Sequence, residues 1–424
     1  MFVRCYGSAH VCLLAVLLHP VAAASEIAET VPPLPLQAAI VRSLASNPDL
    51  QAFGFELQAQ LGRVQEASAR SSPELGVLVE NALGDGARSD FAAAETMLSL
   101  AFLIEHGARQ RRLDVALAQQ SSLDAEASVR RLDVAAETAR RYLSVLAAQS
   151  ELAELEAAQQ LAQDTLQAVQ RRVRTAKAPA AEEARAHAQV ARVRLEQEHA
   201  EHELAAARRR LAALWGATEA DFGPAEGALL QLPPLEAFEM MRGRIERNPE
   251  FDRLLSAKRI GEAELRLAEL RRRPPWEVTA GVRRFEADDD HALVVGITVP
   301  IPNRARHDGA MATARAQVGQ TEAERAAWRV RLDAELFALY QELRHAHTQV
   351  QMLEEDVLPR METALEQTRY AYERGRYSYV EWTAAQRELL ELRHALLEAA
   401  TNAHRYRIEI ERLTGASLDG RVEP

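Results

Sequence analysis

Residues 276–301 read Trp-Glu-Val-Thr-Ala-Gly-Val-Arg-Arg-Phe-Glu-Ala-Asp-Asp-Asp-His-Ala-Leu-Val-Val-Gly-Ile-Thr-Val-Pro-Ile. In the first half Trp276, Val278, Ala280 and Val282 share one face, and Glu277, Thr279, Gly281 and Arg283 the other. In the second half Leu293, Val295, Ile297 and Val299 share one face, and Ala292, Val294, Gly296 and Thr298 the other. A period of two marks strands, and the acidic turn Asp288–Asp290 joins them as a hairpin. Each run has about the 9–11 residues that a tilted strand needs to cross a bilayer, with one apolar and one small or polar face. A lone hairpin is not stable in water, so this one needs partners.

The chain supplies few conventional ones. Its 424 residues are 47% hydrophobic but only 5% aromatic, and Ala, Glu, Leu and Arg dominate. That composition favours long helices over a compact mixed core. Residues 1–24 have the pattern of a secretory signal: Arg4, the short apolar run from Val11 to Leu18, and Ala22-Ala23-Ala24 before Ser25. Both cysteines, Cys5 and Cys12, lie within it, so the exported chain is expected to carry no disulfide or cysteine metal site. Losing Arg4 with the signal deepens the net charge from −11 to −12, which argues against a nucleic-acid partner. No later stretch is long and apolar enough for a membrane helix. Any membrane role must come through strands.

A second strand pair lies upstream. Leu75, Val77 and Val79 alternate with Gly76, Leu78 and Glu80; Leu98, Leu100, Phe102 and Ile104 alternate with Met97, Ser99, Ala101 and Leu103. Between the hairpins the pattern is helical. No breaker occurs from Gly107 to Ala176, a rod of roughly 100 Å at 1.5 Å per residue. Val145, Leu152, Gln159, Leu166 and Val173 recur every seven residues, the repeat of packed helices. Lys177-Ala178-Pro179 breaks the rod. The returning helix carries Ala186, Val193, Ala200, Ala207 and Leu214 at the same spacing. After residues 217–234 the order begins again: a helix from Leu235 to Arg273, the quoted hairpin, a long helix 308–374 that Pro359 should bend, and a returning helix 379–413. Asn248-Pro249 echoes Asn47-Pro48, and Leu413-Thr414-Gly415 echoes Leu214-Trp215-Gly216. The chain thus divides into a signal 1–24, a first repeat 25–216 (hairpin 74–104, helices 107–176 and 180–214), a linker 217–234, a second repeat 235–415 (hairpin 276–301) and a tail 416–424.

Four strands cannot close a barrel, and open sheet edges are not tolerated in lipid. Three copies would give twelve strands, within the usual even-numbered range, and their long helices would pack into a tube. With that order on the page the chain resembles the TolC-like outer-membrane efflux proteins, over residues 36–415. The resemblance rests on the repeated helix, hairpin and helix order, the two Asn-Pro restarts, Leu214-Trp215-Gly216, and the run from Tyr372 to Glu381. Pro73-Glu74-Leu75, Ile104-Glu105-His106-Gly107, Ala280-Gly281-Val282-Arg283 and Val299-Pro300-Ile301-Pro302 are similar to the outer-membrane subunit of cobalt–zinc–cadmium efflux systems. Where that subgroup often has Arg-Asn-Gln-Gly, this chain has Arg306-His307-Asp308-Gly309.

The resemblance implies a mainly α protein with a transmembrane β portion: an α-barrel of long antiparallel helical hairpins on a trimeric 12-stranded β-barrel. It implies an exit duct in the outer membrane of a Gram-negative cell, reaching into the periplasm. Its partners would be a periplasmic adaptor (membrane fusion protein) and an inner-membrane RND pump; the chain itself would catalyse nothing. The implied entrance residues are Glu182 and Glu381, with Tyr372 and Arg376 nearby. The implied tip turns are Lys177-Ala178-Pro179 and Gly375-Arg376-Tyr377-Ser378. Carboxylates repeated around a narrow mouth would concentrate cations. Acids also suit the first turn of any helix, so the residues alone leave both roles open for the two glutamates.

Other candidates are weaker. Asp288-Asp289-Asp290-His291 has metal-ligand types but no further ligand at a suitable spacing, and reads as a solvated turn. His199 and His202 could share an ion, yet a polar helix face explains them; His345 and His347 point apart. No nucleophile–base pair, phosphate loop or redox motif is present, and no cofactor or metal site is expected. A general drug or protein-export channel fits the same frame. A coiled-coil scaffold explains the heptads but not the strands or the signal.

The assigned faces make a prediction. A lysine at Val295 should cost membrane insertion about 2–4 kcal/mol, and one at Val294 far less. Yields of heat-modifiable oligomer in outer-membrane fractions measure this; equal losses would contradict the faces.

Overall fold

The computed structural model describes residues 32–301 and 303–416. The expected signal 1–24 and nearly all of the tail 416–424 fall outside the described residues, as does Pro302.

Helix α1 (Leu36–Ser46) and helix α2 (Pro48–Ser68) are separated by Asn47. Strands β1 (Glu74–Glu80) and β2 (Glu95–Ile104) follow, then α3 (Ala108–Arg174) and α4 (Ala180–Ala212). The second half contributes α5 (Phe238–Arg242), α6 (Pro249–Glu269), β3 (Trp276–Phe285), β4 (Asp290–Thr298), α7 (Arg304–Met352), α8 (Leu358–Glu373) and α9 (Tyr379–Thr414). No described helix is long and apolar enough to cross a membrane.

The 67 residues of α3 make the rod of about 100 Å. Seven-residue spacing decides what it and its neighbours bury. On α4, Ala186, Val193, Ala200 and Ala207 are all buried; on α9, so are Trp382, Leu389, Leu396, Ala403 and Ile410. Alanines on a contact row let the backbones approach closely, and small steps of burial along a long seam add up.

Two helices differ from the pattern read in the sequence. The expected helix 235–273 is broken, beginning at Phe238 and ending in a 3-10 turn over Leu270–Arg272. Gly243 closes α5, a short 3-10 turn covers Ile245–Arg247, and Pro249 bars Asn248 from helical backbone, so α6 starts afresh. The expected helix 308–374 starts earlier, at Arg304, because the Asn303 side chain caps it by accepting from the Arg306 N–H at 3.2 Å. It is also not one α-helix. Pro359 has no N–H to give, and the chain widens into a π turn over Leu353–Val357, where the Leu358 N–H reaches the Leu353 carbonyl. The extra residue keeps both Leu353 and Leu358 in the core.

The strands form one antiparallel sheet in the order β1-β2-β3-β4. The two hairpins join where Leu98 lies opposite Val282 and Leu100 opposite Ala280. Gly281 permits this: a Cβ there would lie 2.6 Å from the Leu98 carbonyl oxygen. The registers align Leu75, Leu100, Ala280 and Val295 in one cross-strand row, and Val77, Leu98, Val282 and Leu293 in the next. This face is apolar and uncovered, with Leu293, Val295 and Ile297 at 76%, 65% and 65% exposure. The opposite face carries Gly76, Ser99, Gly281 and Val294 in one row. At its far end Arg283 pairs with Glu95 at 2.9 Å and Glu80 at 3.4 Å. An apolar face open to the surroundings behind a polar face is the pattern of a lipid-exposed wall.

The same elbow occurs twice beneath the sheet. The Asn47 side chain caps α2 by accepting from the Asp49 N–H (3.0 Å) and donates to the Leu214 carbonyl (2.9 Å) at the end of the α4 rod. Asn248 caps α6 by accepting from the Glu250 N–H (2.8 Å) and donates to the Leu413 carbonyl (3.0 Å) at the end of α9. Both asparagines are buried. Each returning helix then stops at a glycine in left-handed backbone, Gly216 at φ +79° and Gly415 at φ +64°, against the elbow.

Asn248→Ala should therefore lose a cap and orphan a helix-end carbonyl, about 2–3 kcal/mol together, and Asn47→Ala a similar amount. Thermal unfolding in detergent measures it. A loss below about 0.5 kcal/mol at both sites would contradict the double role.

Candidate functional site at the helical tips

The two rod hairpins turn at the end far from the sheet, and their turns share one backbone path. Ala176 (φ +54°) and Gly375 (φ +76°) both adopt left-handed backbone. The Lys177 N–H donates to the Arg172 carbonyl and the Arg376 N–H to the Ala371 carbonyl, each at 2.9 Å. These are matching Schellman closures. Pro179 and Ser378 then occupy the same extended N-cap position.

Here the two turns diverge. The Ser378 hydroxyl accepts from the Glu381 N–H at 3.3 Å, and the Glu381 carboxylate accepts from the Ser378 N–H (2.7 Å) and hydroxyl (2.8 Å). This is a capping box. The Ser378 N–H, and then its hydroxyl, hold the Glu381 carboxyl below its ordinary pKa. Pro179 has neither an N–H nor a hydroxyl. Glu182, at the same third position, has no cap to close and instead accepts from the Tyr372 hydroxyl of the other hairpin at 2.8 Å.

Tyr372 is 1% exposed. Its ring stacks on Trp382 (4.8 Å between centroids) and meets Tyr379 edge-on. Ala168, Val169 and Ala186 complete the cluster. Burial, and then the bond to Glu182, push the Tyr372 phenol up; burial does the same to Tyr379. Both stay protonated donors at any physiological pH. Arg172, at the end of α3, lies over the Tyr372 ring at 4.3 Å. Its guanidinium donates to the Tyr372 carbonyl and, at 3.1 Å, to the Lys177 carbonyl.

Of the residues read from the sequence, Glu182 and Tyr372 meet. Glu381 is occupied by its own cap. Arg376 is exposed, and its side chain has no hydrogen-bond or ion-pair partner among the described residues. Lys177, Ala178, Pro179, Gly375, Tyr377 and Ser378 form the two turns themselves. Arg172, Trp382 and Tyr379 were not singled out in the sequence. Trp382 lies seven residues before Leu389, and extending that row backwards would have found it. Arg172 is one of several basic residues in a last helical turn, and nothing local distinguishes it. Among the described residues no group of three or more His, Cys, Asp or Glu could hold a metal. His199 and His202 are exposed. In the acidic turn, Arg284 pairs with Asp289 at 3.2 Å.

Residues 39–217 and 261–416 match the family model "Outer membrane efflux protein". The chain belongs to that family. It is 28% identical over 391 residues to the cobalt-zinc-cadmium resistance protein CzcC of Cupriavidus metallidurans, covering 91% of each chain. It is 26% identical over 270 residues to the nickel-cobalt-cadmium resistance protein NccC of Alcaligenes xylosoxydans, covering 63% of this chain and 61% of that one. The crystal structure of the outer membrane protein VceC from Vibrio cholerae superposes with a TM-score of 0.73 at 18% identity, over 90% of this chain and 96% of that one. The fold is the TolC type: mainly helical, with four strands per chain. The sheet and the joined tips lie at opposite ends of the 67-residue α3.

The two left-handed positions differ in cost. Ala176→Gly should stabilise its turn by about 0.5–1 kcal/mol, and Gly375→Ala should destabilise its own by about 1 kcal/mol. Thermal unfolding and protease nicking at the tips give the comparison. Shifts of the same sign would contradict the assigned backbone.

Proposed function

We propose that this chain is the outer-membrane exit duct of a tripartite efflux system that exports divalent heavy-metal cations of the cobalt, zinc and cadmium type. The observation that carries the duct reading is the open four-stranded sheet. Its edges β1 and β4 are unpaired within one chain, its outer face is apolar, and it is continuous with helices about 100 Å long. Three copies pair the edges and close a twelve-stranded barrel in the outer membrane, and their helices extend the bore into the periplasm. The two halves, 25–216 and 235–415, act as repeats that supply one strand hairpin and one rod hairpin each. The tips Lys177-Ala178-Pro179 and Gly375-Arg376-Tyr377-Ser378 face a periplasmic adaptor and an inner-membrane proton-driven pump. The duct is passive and is not an enzyme.

The metal reading is supported by the near full-length similarity to CzcC, a resistance protein named for cobalt, zinc and cadmium. At the entrance, Glu182 and Tyr372 hold the two hairpins of a protomer together, and Glu381 starts the returning helix in front of the bore. Threefold repetition of these carboxylates favours cations over anions in a narrow mouth.

Deleting the gene in its host should lower tolerance to zinc, cobalt or cadmium several-fold in growth assays, with rescue by the intact chain. Sensitivity confined to dyes and antibiotics would replace the metal reading with a general drug channel. A protein soluble without detergent would overturn the duct itself.

A further inference from the structure

The whole chain carries a net charge of −11, yet its tips are basic. Residues 171–178 hold four cations and no acid, and residues 373–377 hold two cations and one acid. Arg171, Arg174, Lys177, Arg374 and Arg376 are all exposed. Among the described residues none of the five pairs with a carboxylate, and neither does Glu373, the acid beside them, pair with a cation. Along the rods, by contrast, arginines are matched: Arg130 reaches Glu126 at 2.7 Å and Arg393 reaches Glu362 at 2.8 Å.

The helix dipole does not account for the difference. It favours cations in the last turn of α3, and equally in the last turns of α4 and α9. In α4, however, Arg209 has Glu219 and Arg210 has Glu203, each within 3.9 Å, and in α9 Arg412 has Glu409 at 2.9 Å. Lys177 and Arg376 lie on the turns, outside the helices altogether. Like charges gathered at one end without counter-charges repel one another. The same end exposes Tyr377 and Val380, and Arg374 lies over the Tyr370 ring at 4.1 Å. Arginine and tyrosine with few acids is the composition of a protein interface.

We infer that the tips dock on an acidic protein surface, the carboxylate-bearing end of the periplasmic adaptor, and that this cover neutralises the mouth for a cationic cargo. The inference rests on the exit-duct reading and names the chemistry of its partner. A divalent cation nearing the bare mouth meets the turns with Lys177 and Arg376. Glu182 and Glu381 stand in the first turns of the returning helices and are already bonded, to Tyr372 and Ser378. A ring of unmatched cations there opposes entry until a partner supplies carboxylates. Four of the five free cations are arginines, whose planar fork suits a carboxylate. A phosphate-bearing lipid surface has the same charge, but it would seal the bore from the pump that fills it.

The test uses the purified full-length protein carrying Arg171→Gln, Arg174→Gln, Lys177→Gln, Arg374→Gln and Arg376→Gln together. Lys177→Gln with Arg376→Gln alone, both on the turns, serves if the full set fails to assemble. Two readouts are expected. In planar bilayers under a zinc chloride gradient, the reversal potential should shift toward the cation limit. Binding to the host's purified membrane fusion proteins, each tried in turn, should weaken about tenfold or more, and wild-type binding should fall steeply with salt. Binding that is absent, or that neither the substitutions nor salt weakens, would overturn the acidic partner. An unchanged reversal potential would overturn the barrier at the mouth. Weakened binding to phosphatidylglycerol vesicles, with adaptor binding intact, would transfer the surface to lipid and overturn the inference. If the wild-type protein formed no pore, the duct reading itself would fall, and the inference with it.

Discussion

Hydrocarbon offers no hydrogen bonds, and an unpaired sheet edge in it costs several kilocalories per orphaned group. Nearly every large feature of this chain answers to that constraint. One chain contributes an apolar-faced sheet with two free edges, β1 and β4. Only more copies of the same sheet can close it, and closure by rotation obliges the helices below to share the axis. The rods are then not an addition to the barrel but its continuation. Their alanine rows, buried from Ala186 to Ala207, fit walls in which helices must run close and parallel over about 100 Å.

Long rods create a second demand, since each ends with carbonyls that have no partner in the helix. The two Asn-Pro elbows meet it by using one side chain twice. Asn47 caps the helix it precedes and satisfies the end of a helix 167 residues away, and Asn248 does the same over 165 residues. The helices that carry the sheet and the helices that return from the tips are thereby fastened at one level. Tyr142 ties the lead-in there as well, with its hydroxyl bonded to the carbonyls of Leu34 and Glu226.

At the tips a single difference in capping chemistry divides two otherwise matching turns. Serine at position 378 absorbs Glu381 into a local box. Proline at position 179 can do nothing of the kind, and Glu182 is released to hold the other hairpin through Tyr372. A structural glutamate and a tethering glutamate arise from the same sequence position in two halves because of the residue three places before each.

The sequence by itself determined the fold class, the four strands and their faces, the long helices and the Asn-Pro restarts. These are periodic or local signals, set by side-chain alternation on a strand, seven-residue rows on a helix, and proline's missing N–H. It also placed Glu182 and Tyr372 at the tips. Three things were decided only by tertiary structure. The π turn before Pro359 depends on keeping Leu353 and Leu358 in one core. The joining of the Asn-Pro elbows to Leu214 and Leu413 spans more than 160 residues. The choice of Arg172 over Arg376 depends on which arginine lies across from the Tyr372 carbonyl once α3 and α8 are side by side. Each is a question of which groups lie opposite one another across a seam, and the spacing within either helix does not encode that.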